Sequence, residues 1–265
     1  MKVVYHPLMK ESYDHTPAGA PGRLDTSVKI LSEHPDYDIV MPKPATEQQL
    51  LLAHDDGTIS RVKRESESSS KQNLYKTALL AAGGAILTGK IAIEEDVAFG
   101  LIRPPGHHAS RSSYWGFCYF NNIAISLLEL KNEGLIESAF LLDFDLHTGD
   151  GNINILDSES SFVISNPRSN NEEDYLREVR AVLESSPEVD IIAASAGFDQ
   201  YIHCWGSNLS TKAFYEIGFM MYEFAKEKCD GKRYGVLEGG YNHEDLGRNV
   251  LAFCEGLRGV QSTIL

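Results

Sequence analysis

Between Phe140 and Gly151 the chain carries Asp143, Asp145, His147 and Asp150. Phe140 to Leu142 is a short apolar run of the kind that forms a buried strand. In extended backbone, residues two apart share a face, so Asp143, Asp145 and His147 converge while Phe144 and Leu146 turn away. Carboxylate oxygen and imidazole nitrogen are both zinc ligands. The bland alternative is a strand end followed by acidic helix caps, and Asp150 alone would serve as one. Acids and polar groups recur where other apolar runs stop. Val189 to Ala196 leads into Ser195-Ala-Gly-Phe-Asp199, and Tyr234 to Leu237 leads into Glu238-Gly-Gly-Tyr-Asn242. In Arg103-Pro-Pro-Gly-His-His-Ala109, two prolines and a glycine exclude helix and central strand. Such a shaped loop can aim His107 and His108 at one point.

Asp145, His147 and Asp199 together give three mixed O and N ligands and leave positions open for water and substrate, the pattern of a catalytic zinc. Such a metal lowers the pKa of its water and polarises a carbonyl. His107 and His108 then supply base and acid. Asp143 and Asp150, not spent on the metal, each orient one imidazole. Tyr241, behind two glycines that allow close backbone approach, donates its hydroxyl to an oxyanion. These are the parts of a metallohydrolase for an amide or ester.

The elements that must position these residues alternate along the chain. Strands are expected at Lys2 to His6, Ile39 to Met41, Val97 to Ile102, Phe140 to Leu142, Phe162 to Ser165, Val189 to Ala196 and Tyr234 to Leu237. Helices are expected at 24–33, 47–52, from 56 towards 64, 74–87 with Gly89 just past its end, 123–132, near 152–156, 171–184, to about 229 with Thr211 as cap, and 243–254. Residues 65–72 are a low-complexity surface loop. Most strands are continuous apolar runs, the signature of a mainly parallel sheet covered on both faces. In such sheets the functional crevice lies beyond the carboxyl ends of the strands. Every suspicious cluster falls there.

The 265 residues, 42% hydrophobic and 23% charged, suit one domain spanning 1–265. No apolar run approaches the ~20 residues of a membrane span, and the start of the chain reads as a strand rather than a signal peptide. The net charge of −14, from 24 basic and 38 acidic residues, repels phosphate backbones and argues against nucleic acid as a partner. Cys118, Cys204, Cys229 and Cys254 are far apart, which fits free thiols and a cytoplasmic location.

The series Arg103-Pro-Pro-Gly-His-His-Ala109, Gly116-Phe-Cys-Tyr-Phe-Asn-Asn122, Asp143-Phe-Asp-Leu-His147, Ser195 to Asp199 and Glu238 to Asn242 resembles, in order, the motifs of the zinc-dependent histone deacetylase and acetylpolyamine amidohydrolase family. The resemblance covers essentially the whole chain. It implies an arginase/deacetylase-like three-layer α/β/α sandwich around a mainly parallel sheet of about eight strands. It implies zinc on Asp145, His147 and Asp199, with His108 as general base and acid and His107 electrostatic. Asp143 and Asp150 match their carboxylate partners, and Tyr241 matches the transition-state tyrosine. Gly116 and Phe117 match a tunnel wall, the Gly116 carbonyl accepting from the substrate amide, and Gly240 belongs with the substrate-binding set. Backbone oxygens of Asp143, Asp145 and His147, with Ser165 and Asn166, match a structural potassium site.

Some positions depart from the family pattern. Thr148 stands where a second histidine is usual. Residues 63–74 are short where a longer rim loop is common, with no match for the rim aspartate that grips a peptide backbone. Asn166 to Asn171 lacks the usual aromatic of the opposite wall. The expected activity is hydrolysis of an acetyl amide to acetate and a primary amine. A small acetylated amine such as an acetylpolyamine is favoured over protein acetyl-lysine. An arginase-like ureohydrolase needs more aspartates beside His147 and does not use Tyr241. An inactive acetyl-amine binder would not need the full set.

Overall fold

A computed structural model describes residues 1–265. All seven apolar runs become strands: β1 (Lys2–Val4), β2 (Asp38–Val40), β3 (Val97–Gly100), β4 (Ala139–Asp143), β5 (Phe162–Ser165), β6 (Ile191–Ala196) and β7 (Arg233–Leu237). They form one sheet in the order β2-β1-β3-β7-β6-β4-β5, every neighbouring pair parallel. Seven parallel strands match the sheet of about eight implied by the family resemblance. Every residue of β4, β6 and β7 is buried, because these strands are covered on both faces.

The covering helices fall into two layers. Helices α2 (Glu47–Ala53), α3 (Asp56–Glu65), α4 (Leu74–Glu95) and α5 (Asn122–Asn132) pack with one another, α4 lying against β1, β3 and β7. Helices α1 (Asp25–Glu33), α7 (Glu172–Ser185), α8 (Thr211–Lys228) and α9 (Leu246–Arg258) form the other layer, with α8 against β6 and β7 and α9 against β3. The short α6 (Asp150–Leu156) sits between α5 and β5. A single hydrophobic cluster of 68 buried residues joins the layers through the sheet.

Local chemistry moves three helix boundaries from their expected places. Helix α4 runs through Gly89 to Glu95, and a Cβ at Gly89 would come 2.8 Å from the Ser126 hydroxyl. That glycine is a close-approach site between α4 and α5, not a C-cap. Helix α8 is capped by Ser210, whose hydroxyl accepts from the Ala213 N–H at 3.2 Å; Thr211 spends its own on Asn249. Helix α9 starts at Leu246, since the Asn242 carboxamide accepts the Asp245 N–H at 3.1 Å and holds 242–245 in a turn. Helix α4 also corrects the expectation that no stretch is long and apolar enough for a bilayer. An 18-residue window within its 22 residues reaches a mean hydropathy of 1.3, but 72% of that window is buried within this fold.

Strands β3, β7, β6 and β4 are consecutive neighbours across the sheet, though they come from distant parts of the chain. Their ends are level, with Gly100 beside Val236, Leu237 beside Ala196, and Ser195 beside Asp143. The segments that leave these four ends carry His107-His108, Tyr241, Asp199 and Asp145-His147, so register alone gathers them at one edge.

Candidate active site

Asp145, His147 and Asp199 bring one ligand atom each to within 4.8 Å of one another. His147 Nδ1 lies 3.2 Å from Asp145 Oδ1 and 3.3 Å from Asp199 Oδ2. The other carboxylate oxygens are held by backbone: Gly239 N–H donates to Asp145 Oδ2 at 2.9 Å and Leu146 N–H to Asp199 Oδ1 at 3.0 Å. Neither carboxylate can swing away without breaking such a bond. A Cβ on Gly239 would stand 2.5 Å from the Asp145 carboxylate and 2.7 Å from that of Asp199, so glycine is required for this approach. Burial opposes ionisation of both acids. For Asp145 the positive charge of His107 and hydrogen bonds from His147 and the Gly239 N–H outweigh it and hold the carboxyl below the usual range. For Asp199 burial and the Asp145 charge prevail and push it up to about 6. Hydrogen bonds to both acids raise His147 to about 10. Two buried carboxylates facing one nitrogen are a site for a cation. The O, O, N donor set suits zinc.

The tandem histidines sit opposite, each paired with its own carboxylate. His107 Nδ1 is 3.2 Å from Asp143 Oδ2, and His108 Nδ1 is 2.6 Å from Asp150 Oδ1. The rings lie 4.1 Å apart, yet their electrostatics diverge. Burial works against charge on His107, but Asp145 and Asp143 overcome it and hold the imidazole well above its usual range. Burial, reinforced by the His107 charge, pushes His108 down to about 4. Their surroundings thus favour the charged form of His107 and the neutral form of His108. Asp150 is the first residue of α6 but caps nothing; its carboxylate serves His108 and Trp115 instead. The acid-cap alternative is thereby answered.

The loop carrying the histidines is braced from several sides. Arg103, fully buried, donates to the carbonyls of Met9, Lys10, Glu11, Ala18 and Ala20. The Asn121 side chain caps α5 and donates to Ala109 O at 3.0 Å; Asn122 donates to Pro104 O at 2.9 Å. Tyr119 and Phe120 are packing residues, both buried. His54 joins the two ends of the next loop, facing Ser110 O and accepting from Asn121 N–H, each at 2.9 Å.

Two positioning residues were not singled out from sequence. Glu238, buried at the end of β7, accepts from the N–H groups of Gly106 at 2.6 Å and His107 at 3.2 Å. Burial pushes its carboxyl up to about 7. An ionisable residue directly after a wholly apolar strand was the available signal. Arg23 donates to Gly240 O at 2.9 Å and to Glu238 O, and its guanidinium lies 5.0 Å from the Tyr241 ring. No sequence signal marks it, because the contact spans 217 residues.

A pocket of about 140 Å³ opens over these groups, lined by His107, His108, Asp145, His147 and Tyr241 on its floor and sides. Gly116 and Phe117 line it as expected, both with positive φ (61° and 67°), a strained choice for phenylalanine. Gly240 does not line it. Its φ of 120° makes it the hinge that presents Tyr241, packed on Phe198 and Leu246. Asp143, Asp150 and Asp199 stand behind the residues they hold. Burial, with the charges of Asp145 and Asp199, keeps the Tyr241 hydroxyl well above its usual pKa and therefore a donor.

The wall expected from residues 166–171 is supplied from elsewhere. Trp205, on the loop after Asp199, stacks on Tyr241 at 4.2 Å and meets His147 at 6.3 Å. Trp115 stacks on His108 at 3.9 Å. Asn166, Arg168 and Thr148 instead line a polar recess of about 280 Å³ that shares Asp145 and His147 with this pocket. Ser165 pairs with Leu142 across β4 and β5, and the Asn166 amide donates to Asp143 O at 3.2 Å, so the residues expected at the potassium site are neighbours.

A model of the histone deacetylase domain matches residues 18–172 and 161–257. The chain is 31% identical over 300 aligned positions to the polyamine deacetylase HDAC10 of Danio rerio, covering 90% of this chain and 44% of that protein. It is 28% identical over 251 positions to a probable deacetylase of Archaeoglobus fulgidus, covering 78% of this chain and 70% of the other. The crystal structure of the HDA15 HD domain superposes with a TM-score of 0.84 at 21% identity, covering 98% of this chain and 91% of that one, a likeness of fold. The chain belongs to the histone deacetylase domain family.

Proposed function

We propose that the protein is a zinc-dependent deacetylase that hydrolyses an acetyl amide to acetate and a primary amine, acting on small acetylated amines. The observation that carries this reading is one pocket bordered by Asp145 and His147, the His107-Asp143 and His108-Asp150 pairs, and Tyr241. When bound by Asp145, His147 and Asp199, zinc supplies Lewis acidity towards a carbonyl and acidifies a water.

The chain's own residues do the rest. His108, neutral at pH 7 because burial and the His107 charge hold it down to about 4, accepts a proton from the attacking water. It returns that proton to the leaving amine, while the Asp150 carboxylate on Nδ1 fixes which nitrogen faces the pocket. His107 keeps its charge beside Asp145 and Asp143 and favours negative charge in the pocket. The Tyr241 hydroxyl donates to the acetyl oxygen as charge builds there, the role of an oxyanion donor. A potassium ion on the backbone oxygens of Asp143, Asp145 and His147, with Ser165 and Asn166, belongs to the same reading. The Asn166 carboxamide oxygen there is buried without a hydrogen-bond partner.

Three observations favour a small amine. The net charge of −14 attracts cations. The rim from Ser66 to Asn73 is a short run of turns. The Danio rerio relative is named for polyamine deacetylation. Acetylputrescine, acetylspermidine and an acetyl-lysine peptide, assayed side by side, test the assignment. Higher kcat/KM on the two acetylated amines is expected. Preference for the peptide would transfer the reading to protein lysines, and no hydrolysis of any of the three would remove it.

A further inference from the structure

Trp115 and Trp205 are the only tryptophans in the chain, and both are half-exposed at the pocket mouth. Exposed tryptophan is unusual unless its surface has a use. Each packs at a tilt against one of the two rings assigned to proton handling. Trp115 is 3.9 Å from His108 with 30° between the ring planes, and Trp205 is 4.2 Å from Tyr241 with 34°.

Trp115 does more than cover His108. Its Nε1–H donates to Asp150 Oδ2 at 2.9 Å, while the other oxygen of Asp150 faces His108 Nδ1. The Asp150 side chain is 49% exposed, so without the indole only His108 and water would hold that carboxylate. The loop bearing Trp115 is tied down by Cys118 N–H donating to Trp115 O at 3.0 Å and by Arg61 donating to Ser112 O at 2.9 Å. Trp205 is equally well founded. Gly206 N–H donates to Asp199 O at 2.8 Å, Tyr201 and Leu209 close the loop base, and Asn242 donates to His203 O at 3.1 Å. That last bond joins the Trp205 loop to the turn that carries Tyr241.

We propose that Trp115 and Trp205 are positioning residues, Trp115 for the His108-Asp150 pair and Trp205 for Tyr241. The proposal rests on the deacetylase reading of the site. An aromatic stack and a hydrogen bond are each modest, but a misplacement of about 1 Å at a reacting group costs about 10²-fold in rate.

The test has two arms. In the kinetic arm, Trp115→Ala and Trp205→Ala are expected to lower kcat by about 10–100-fold with KM within about threefold. Trp205→Phe, which keeps a ring on Tyr241, is expected to recover most of the loss. Trp115→Phe, which keeps the stack but lacks the N–H, should recover only part. Trp115→Ala and Asp150→Asn combined should be clearly less than additive. A rise in KM with kcat held would mean that the tryptophans are only substrate walls, and would overturn the proposal. The second arm needs no substrate. With two tryptophans, Trp205→Phe leaves Trp115 as the sole indole emitter, and Trp115→Phe leaves Trp205. Emission from Trp115 should change in His108→Ala and not in Tyr241→Ala, and that from Trp205 should do the reverse. Emission indifferent to both would overturn the packing itself. An enzyme inactive on every acetyl amide but with this crossed response would refute the deacetylase reading while leaving the ring pairings in place.

Discussion

The floor of the pocket and its rim are built on different principles. The floor hangs from four adjacent strand ends, and its acids, Asp143, Asp145 and Asp199, are buried. Each is held by backbone N–H groups or by amide and imidazole partners. The rim stands on loops, and its two largest side chains are half in solvent. A buried carboxylate needs compensating partners or its charge is lost, so the floor tolerates little variation. A rim ring can come from any loop that reaches the mouth. Here Trp205 does so in place of the segment after Ser165.

The sharpest way to break this contrast is to remove proton transfer from the floor. His108→Ala should lower turnover by several orders of magnitude, since the leaving amine then lacks its acid. His107→Ala should cost less, measured in the same assay with metal content checked. If His107→Ala is far the more damaging, the two roles are exchanged. Next in size is Tyr241→Phe, which keeps ring, stack and fold but removes the hydroxyl. Its kcat should fall by about 10²–10³-fold with little change in affinity, the usual cost of one oxyanion donor. Turnover like that of the parent would make Tyr241 a packing residue.

The smallest expected effect sharpens the claim that the floor is cross-braced. Glu238 is pushed up to about 7 by burial, so its ionisation opposes folding. That contribution to stability is fully present below the unfolded carboxyl value and lost as pH rises through about 7. Glu238→Gln keeps an acceptor for the Gly106 and His107 N–H groups and does not ionise. Its melting temperature should therefore gain on that of the parent between about pH 5 and 8, by the equivalent of about 1–3 kcal/mol. Parallel melting curves across that range would show that Glu238 is not a raised acid.

The same contrast explains what could be read from sequence. Residues two apart at the end of an apolar run converge wherever the strand lies, so Asp143, Asp145 and His147 were legible from spacing. So was the parallel sheet, since wholly apolar strands leave few alternatives. Helix limits went astray where a tertiary contact overruled a local signal. Gly89 looked like a stop and is a packing site against Ser126. The rim was illegible for the same reason as Arg23. Nothing in local sequence says that Trp205 will lie on Tyr241, 36 positions along the chain, or that Arg23 will hold Gly240 O. The Trp205 contact exists only once β6 and β7 are neighbours.

We propose that Asp145, His147 and Asp199 hold one catalytic zinc. This assignment is tested most directly by stripping the protein of metal and titrating zinc back while following hydrolysis of acetylputrescine and bound metal together. Activity should return in proportion to zinc and saturate at about one equivalent per chain, and Asp199→Ala, still folded, should recover neither zinc nor activity. Full zinc occupancy in Asp199→Ala, or activity that saturates only with two manganese ions per chain, would contradict the account.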